Sequence, residues 1–221
     1  MVARIVFVGT SGHAGVALDA IERCGGYEVL GFFDSFRASG EEAYGYPVHG
    51  AEDRLPAFLG AQPDCAVHVA IGDNFQRRRM HERLRGLAPG IRFAAVVHPF
   101  SSVSPRAGIA DGAIVLAGAI VCAGASVGEG CLLNTGSSLD HDCTMDAFAS
   151  LGPGTVVGGN ARIGTCSAIA IGTTVLHGRR IGEHSIIGAG AVVVRDMPDR
   201  CVAYGVPARV VRERMPGDAY L

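Results

Sequence analysis

Residues 127–145, VGEGCLLNTGSSLDHDCTM, decide the fold, because Val, Leu or Met recurs in them at every sixth position. The same register continues outward in both directions, without a break, from Val103 to Val193. Four places after each of these sixteen aliphatic residues stands Ala, Cys, Ser or Thr, with Arg179 and Met197 as the exceptions. Glycine follows the aliphatic residue directly at six places. The C-terminal half is therefore a repeat of six residues.

A repeat of six residues is too short to fold alone, so its copies must stack and share one core. Period six fits neither an α-helix nor a two-sided strand, whereas it fits a coil with three flat faces. The aliphatic residue then points inward, the small residue fits a narrow interior, and glycine eases the corners. Sixteen hexads predict about five coils. An ordinary β-sandwich is the alternative, and the unbroken register disfavours it.

The N-terminal hundred residues have a different pattern, in which short apolar strands alternate with helices. This alternation predicts a small parallel sheet of the Rossmann-like α/β class. We expect three segments, namely an N-terminal domain over 1–100, a β-helix over 101–200 and a tail over 201–221. The predicted strands are Ile5–Val8, Val29–Phe33, Ala66–Ile71 and Phe93–Val97, and the predicted helices end near Cys24, Leu59 and Arg85.

Composition excludes several classes of function. The formal net charge is −2, so the chain has no basic excess with which to bind nucleic acid. No apolar run approaches the roughly 20 residues of a membrane helix, and the N-terminus does not read as a signal peptide. The seven cysteines are scattered and form no CxxC pair, which indicates reduced thiols and a cytoplasmic location.

The hexads and the closing segment 204–209, YGVPAR, resemble the hexapeptide-repeat acyltransferases. The segments 8–15, VGTSGHAG, and 134–143, NTGSSLDHDC, resemble in particular the bacterial sugar acetyltransferases that join a nucleotide-binding domain to the β-helix. This resemblance implies a left-handed β-helix, a homotrimer, and acetyl-CoA bound between neighbouring helices. It also implies N-acetylation of a nucleotide-linked 4-amino-4,6-dideoxysugar, with GDP-perosamine as the expected acceptor. Such a sugar implies assembly of a surface polysaccharide, for example lipopolysaccharide O-antigen, or of a glycoprotein.

His141 is the candidate general base, because a sugar ammonium must lose a proton before its nitrogen attacks a thioester. It stands two places after inward Leu139, at an outward position, and Asp140 and Asp142 flank it. Asp142 is expected to hold the other ring nitrogen and to fix the tautomer. Backbone N–H groups near Ser150 and Gly152 are expected to bind the oxyanion. Without the resemblance, a solvated histidine at a turn is the alternative.

The loop Gly9–Gly15 is spaced GxxGxxG, which differs from the dinucleotide GxGxxG pattern. A glycine-rich turn before a helix still offers N–H groups and a positive helix end to a phosphate. The resemblance assigns the sugar nucleotide to seven residues here and on the neighbouring strands, and acetyl-CoA to four on successive coils. The nucleotide set is Ser11, Gly12, His13, Asp34, Ser35, Gly72 and Asn74; the acetyl-CoA set is Ser150, Gly152, Ile171 and Ala189.

The remaining histidines and arginines are weaker candidates. His177 and His184 suggest a zinc site like that of hexapeptide carbonic anhydrases, but such a site needs three convergent imidazoles, so we expect no metal. The arginines at 77–79, 83 and 85 form a solvated helix face or pair with a diphosphate. Three other functions stay open, namely acetylation of a UDP-linked amino sugar, O-acetylation of a sialic-acid-type acceptor, and non-catalytic nucleotide-sugar sensing.

Overall fold

The computed structural model describes residues 3–219. Its N-terminal part is a three-stranded parallel sheet in the order β2-β1-β5, with helices packed against it. Between β2 and β5, the chain forms a two-stranded hairpin, β3–β4, and a 3-10 helix at Glu52–Arg54. The elements are β1 Ala3–Val8, α1 Gly12–Cys24, β2 Tyr27–Phe33, β3 Glu42–Ala43, β4 Tyr46–Pro47, α2 Leu55–Ala61, β5 Cys65–Val69 and α3 Asn74–Leu87.

The predicted fourth strand, Phe93–Val97, is wrong as a strand of this sheet. Phe93 forms only an isolated bridge to Val67, and Val96–Val97 pair instead with Ile114–Val115 in the C-terminal half. The reason is visible in the repeat, because Val97 stands six residues before Val103 and so extends the hexads by one. The chain leaves the N-terminal sheet at this point and begins the first coil.

The C-terminal half is a parallel β-helix with three sheets, in which the strands up to β22 pair with strands 18 residues away. Sheet I ends in one antiparallel strand, while sheets II and III are parallel throughout. Sheet I holds β6 Val96–Val97, β9 Ile114–Val115, β12 Leu132–Leu133, β15 Ser150–Leu151, β18 Ala168–Ile169, β21 Ile186–Ile187, β23 Cys201–Tyr204 and β24 Arg209–Glu213. Sheet II holds β7 Ser102–Val103, β10 Ile120–Val121, β13 Ser138–Leu139, β16 Val156–Val157, β19 Thr174–Val175 and β22 Val192–Val193. Sheet III holds β8 Gly108–Ile109, β11 Ser126–Val127, β14 Thr144–Met145, β17 Arg162–Ile163 and β20 Arg180–Ile181.

The interior of the β-helix is built as the hexads predict. The aliphatic residues from Val115 to Val193 are buried in one continuous core, and Val103 and Ile109 pack at its open end. Several small polar residues of the repeat donate hydrogen bonds to backbone carbonyls of the following coil. Thr155 Oγ1 lies 3.0 Å from Ala170 O, and Cys143 Sγ lies 3.2 Å from Gly158 O. At these positions, neighbouring coils are joined by an interior side-chain bond as well as by the backbone ladders.

The corners of the coils use left-handed backbone at every sixth residue from Gly112 to Gly190. Most of these corner residues are glycine, for which a positive φ costs least. Asp142 occupies one such corner with φ 56°, a conformation that Asp and Asn tolerate better than most residues. This second periodicity is also present in the sequence, where Gly, Asp or Asn stands at most of these corner positions.

The three faces of the β-helix differ in what covers them. The N-terminal domain covers sheet I, where the outward-pointing Ile114, Leu116 and Leu132 join the core of that domain. Sheet II is open and presents Ile120 and Val156, which are 43% and 48% exposed. Sheet III carries a charged ladder, in which Arg162 Nε lies 3.0 Å from Asp146 Oδ2.

The seven cysteines are free thiols, and five of them are buried. Over residues 3–219, no helix has the length and apolar character needed to cross a membrane.

Candidate active site

His141 and Asp142 lie on the corner between sheets II and III, directly after strand β13. His141 Nδ1 is 2.9 Å from Asp142 Oδ2, and the two side chains are half or more exposed. A carboxylate only accepts hydrogen bonds, so Nδ1 carries the proton and the lone pair remains on Nε2. The predicted pair therefore has the geometry of a base and its orienting acid.

Electrostatics favour proton uptake by this imidazole. The bond from Asp142 raises the pKa of His141, and the negative charges of Asp140 and Asp142 add to that increase. Asp140 also accepts a hydrogen bond from the His141 backbone N–H at 2.7 Å. That bond lowers the pKa of Asp140, so its carboxylate stays charged beside the histidine.

A first cleft of about 550 Å³ opens where β1 ends and α1 begins. Ser11 precedes α1 at its N-cap position and makes no side-chain capping bond, and Gly12 is the first residue of the helix. Asp34 is buried and braces this turn, because its Oδ2 accepts from the Thr10 N–H at 2.9 Å and its Oδ1 from the Phe36 N–H at 2.8 Å. We call this space the nucleotide-domain cleft.

Several residues that the sequence did not single out for a ligand complete this cleft. Glu52 is buried at its wall, accepts from Ser35 through both the N–H and the hydroxyl, and pairs with Arg83 at 3.3 Å. Ser35, a predicted ligand, is thus tied to Glu52. The exposed ring of Phe36 stands at the cleft, as do Arg79 and Arg83 of α3, which places two of the predicted arginines beside the ligand space.

A second cleft of about 550 Å³ lies between the N-terminal domain and sheet I, and we call it the interdomain cleft. Its lining includes the four residues predicted for acetyl-CoA, Ser150, Gly152, Ile171 and Ala189. The wall is mostly aliphatic, and Tyr204 of the C-terminal segment, which the sequence did not single out, closes one side. The structure therefore brings these four positions together on one surface.

Two of the N–H groups predicted for the oxyanion already donate hydrogen bonds within sheet I. Ser150 N donates to Ser167 O at 2.9 Å, and Gly152 N donates to Ile169 O at 2.7 Å. Both groups belong to the ladder of sheet I and are not available to a tetrahedral oxygen. A local pattern of small residues does not show which amides the ladder uses.

His13 and Gly72, predicted for the sugar nucleotide, line the interdomain cleft and not the nucleotide-domain cleft. Burial lowers the pKa of His13 to about 4, and the charges of His68 and Arg77 contribute in the same direction. The ring is therefore neutral at pH 7. Its Nε2 is buried without a hydrogen-bond partner within the described chain.

Asn74 joins the two domains. Its side chain is fully buried, and Nδ2 donates to Ser150 Oγ and to Ser167 O, each at 3.0 Å. Its Oδ1 accepts from Arg77 Nη2 at 2.7 Å, and Arg77 Nε reaches Gly130 O at 2.7 Å. Direct contact of Asn74 with a nucleotide stays a prediction; the observed bonds hold α3 on sheet I.

The histidines of the β-helix do not form one cluster. The rings of His141 and His177 have centroids 6.0 Å apart, whereas His184 is buried against Phe75. Within residues 3–219, no three His, Cys, Asp or Glu side chains are arranged to hold a metal ion. The four other histidines have structural contacts, and His68 and His81 are completely buried or nearly so.

Comparison with known protein families identifies the N-terminal domain. Residues 4–84 match the PglD N-terminal domain. The matches to curated relatives are short, and the chain spans only about a quarter of the length of the two described next. The chain is 46% identical over 56 residues to dTDP-3-amino-3,6-dideoxy-alpha-D-galactopyranose 3-N-acetyltransferase of Aneurinibacillus thermoaerophilus, covering 25% of this chain and 26% of the relative. It is 49% identical over 45 residues to galactoside O-acetyltransferase of Lactococcus lactis, covering 20% of this chain and 22% of the relative.

Solved structures match over nearly the whole length. A histidine variant of GDP-perosamine N-acetyltransferase from Caulobacter crescentus, in complex with CoA and GDP-perosamine, has 33% identity and a TM-score of 0.89, covering 96% of this chain and 99% of that one. The acetyltransferase domain of PglB from Neisseria gonorrhoeae, in complex with acetyl coenzyme A, has 34% identity and a TM-score of 0.85, covering 95% and 99%. The predicted left-handed β-helix and Rossmann-like domain are thereby confirmed. The chain belongs to the hexapeptide-repeat, acetyl-CoA-dependent acetyltransferases that join a PglD-type N-terminal domain to a left-handed β-helix.

Proposed function

We propose that this enzyme transfers the acetyl group of acetyl-CoA to the C4 amine of a nucleotide-linked 4-amino-4,6-dideoxysugar, with GDP-perosamine as the preferred acceptor. The observation that carries the proposal is the 2.9 Å bond from His141 Nδ1 to Asp142, which leaves Nε2 able to take a proton at an exposed corner. The likeness to an enzyme solved with CoA and GDP-perosamine supports the choice of substrates.

In the proposed reaction, the neutral C4 amine attacks the thioester carbon and a C–N bond forms. His141 Nε2 takes the proton that the nitrogen loses, and Asp142 stabilises the resulting imidazolium. The tetrahedral intermediate then releases the CoA thiolate as the C–S bond breaks, and the imidazolium returns the proton to sulfur. These steps need no metal ion, so we expect turnover to be unaffected by a chelator.

The two clefts suit the two substrates. The nucleotide-domain cleft offers a glycine-rich turn at the start of α1 and the guanidinium groups of Arg79 and Arg83, which suits a diphosphate. The interdomain cleft offers an apolar wall with Ile171 and Ala189, which suits the pantetheine arm of acetyl-CoA.

The placement of these clefts supports a homotrimer as the active form. The interdomain cleft lies against sheet I, and the nucleotide-domain cleft lies within the N-terminal domain that covers this sheet, whereas His141 lies on the opposite edge, between sheets II and III. Neither cleft, as the described residues form it, is lined by His141. A second copy that packs along exposed Ile120 and Val156 of sheet II would bring its own interdomain cleft toward this corner.

The test is thiol release from acetyl-CoA, followed with a colour reagent, in the presence of GDP- or UDP-linked 4-amino-4,6-dideoxysugar and without an acceptor. We expect fast release with the GDP sugar alone. Release only with the UDP sugar would keep the mechanism and overturn the substrate. No thiol release with either sugar would reject N-acetylation of this class of acceptor. It would favour O-acetylation of a different acceptor or a non-catalytic role in nucleotide-sugar sensing.

A further inference from the structure

The imidazole of His141 rests on the backbone of the next coil at Gly159. The two residues are 18 positions apart, which is one coil, and the His141 carbonyl accepts from the Asn160 N–H at 2.9 Å. A Cβ added at Gly159 would lie 2.7 Å from His141 Cε1, 2.8 Å from Cδ2 and closer still to Nε2. The ring therefore occupies the space that any other residue at 159 would fill.

The Asp142 carboxylate likewise lies against a glycine, Gly124, of the preceding coil. A Cβ at Gly124 would collide with Asp142 Oδ1, so the carboxylate also lies where a side chain is missing. Gly124 has a φ of +75° as well, whereas the φ of Gly159 is outside the left-handed region. The absence of a side chain at Gly159 therefore has no explanation in the backbone, and its contact with His141 supplies one.

His177 closes the far side of this space. It stands one further coil along the same column, and its ring centroid is 6.0 Å from that of His141. The His141 ring thus lies between the Asp142 carboxylate, which holds Nδ1, and the ring of His177, with Gly159 beneath it, and its outer side is exposed.

We propose that Gly159 is a positioning residue, whose missing side chain lets the His141 imidazole lie across the corner and keep its bond to Asp142. The inference deepens the proposed function, because it matters for turnover only if His141 is the base. The atoms that a Cβ would displace are the far end of a side chain that can swing aside. A methyl group at 159 is therefore expected to move the imidazole and leave the fold intact.

The test compares Gly159→Ala with Gly108→Ala, a glycine of the β-helix where an added Cβ meets nothing within 4 Å. We expect Gly159→Ala to keep the melting temperature and the KM values and to lower kcat about tenfold or more. We also expect its His141 pKa, followed by NMR of the ring C–H and assigned through its loss in His141→Ala, to fall toward 6.5 because the Asp142 bond is lost. Gly108→Ala should match the parent in every measurement.

A double-mutant cycle completes the design. If Gly159 acts through His141, Gly159→Ala causes no further loss of kcat in a His141→Ala background. An unchanged His141 pKa in Gly159→Ala would overturn the proposed positioning role of Gly159, whatever the activity of the variant. Full turnover of His141→Asn would instead overturn the role of His141 as the base. The His141 titration in Gly159→Ala would still test whether Gly159 positions the ring. Loss of folding in Gly159→Ala would also overturn the positioning role of Gly159, because the displaced ring is predicted to turn out into solvent without disturbing the fold.

Discussion

The interior of the β-helix and the junction with the N-terminal domain bury polar groups in opposite ways. Inside the β-helix, small hydroxyls and thiols such as those of Thr155 and Cys143 donate to carbonyls of the next coil, and Ala, Val, Leu, Ile, Met and Cys side chains pack into one continuous core. The junction buries Arg77 and Asn74, together with the histidines His68 and His81. The same chain thus has an apolar scaffold and a polar joint.

This difference separates what holds the enzyme together from what it does. Because the β-helix is fixed by repetition, one outward corner such as that of His141 is free to carry chemistry without disturbing the core. The joint is not repeated, so each of its buried polar groups depends on partners in the other domain. Substitutions at the corner should therefore affect turnover, and substitutions at the joint should affect stability.

The largest expected effect is at the corner. His141→Asn should lower kcat by about 10²–10⁴-fold, the usual contribution of a positioned base. Its melting temperature and its oligomeric state should match the parent, because the side chain is half exposed. Steady-state kinetics with thermal unfolding checks both. Turnover near the parental value would remove His141 from the mechanism, and loss of the fold would contradict the separation of corner and core.

The next effect is the response of the joint to acid. Burial lowers the pKa of His68 to about 4, with a smaller opposing effect from its bond to Ala94 O, while the unfolded chain protonates this ring near 6.5. The unfolded state therefore binds the proton first, and stability is lost as the pH falls from about 6.5 to 4. For this residue the loss is roughly 3 kcal/mol.

His68→Phe should make that pH dependence shallower, because phenylalanine fills a similar space and does not titrate. Urea unfolding at pH 7.5, 6.0, 5.0 and 4.5 measures the slope for parent and variant. His13 and His81, whose pKa values burial lowers to about 4 and about 3, should keep a residual slope in the variant. Equal slopes in the two proteins would show that the His68 ring is not held neutral.

The same contrast explains what the sequence predicts and what it leaves out. Inward residues such as Leu133 and Ile163 follow from the hexads alone, because every coil repeats the same environment. The bond of His141 to its neighbour Asp142 was expected from adjacency. The Asn74–Ser150 bond joins residues 76 positions apart, and no local pattern marks it. Val96–Val97 pair with sheet I and not with the N-terminal sheet, which the hexad register indicates once it is continued back from Val103 to Val97.

A prediction of intermediate size concerns that joint. Asn74→Ala removes two donors to sheet I and leaves Arg77 without the Asn74 acceptor, so unfolding should become easier by about 2 kcal/mol. Ser150→Ala is the matched control, since it removes one of these bonds and should cost about half as much. Urea denaturation at pH 7.5 measures both. Equal losses in the two variants would contradict the central place of Asn74.

The smallest expected effect lies on the interdomain cleft. Ile171 is 58% exposed on its apolar wall, so Ile171→Asp should leave folding unchanged and raise the KM for acetyl-CoA about tenfold, through lost apolar contact and repulsion of the CoA phosphates. Val16→Asp introduces the same carboxylate at a half-exposed position on α1 that does not line the cleft, and should leave that KM unaltered. The KM for the sugar nucleotide should stay constant in both variants, because the nucleotide-domain cleft is lined by other residues. A parental KM for acetyl-CoA in Ile171→Asp would show that acetyl-CoA does not bind against this wall. The assignment of acetyl-CoA binding to the interdomain cleft, as distinct from proton transfer at the His141 corner, would then be wrong.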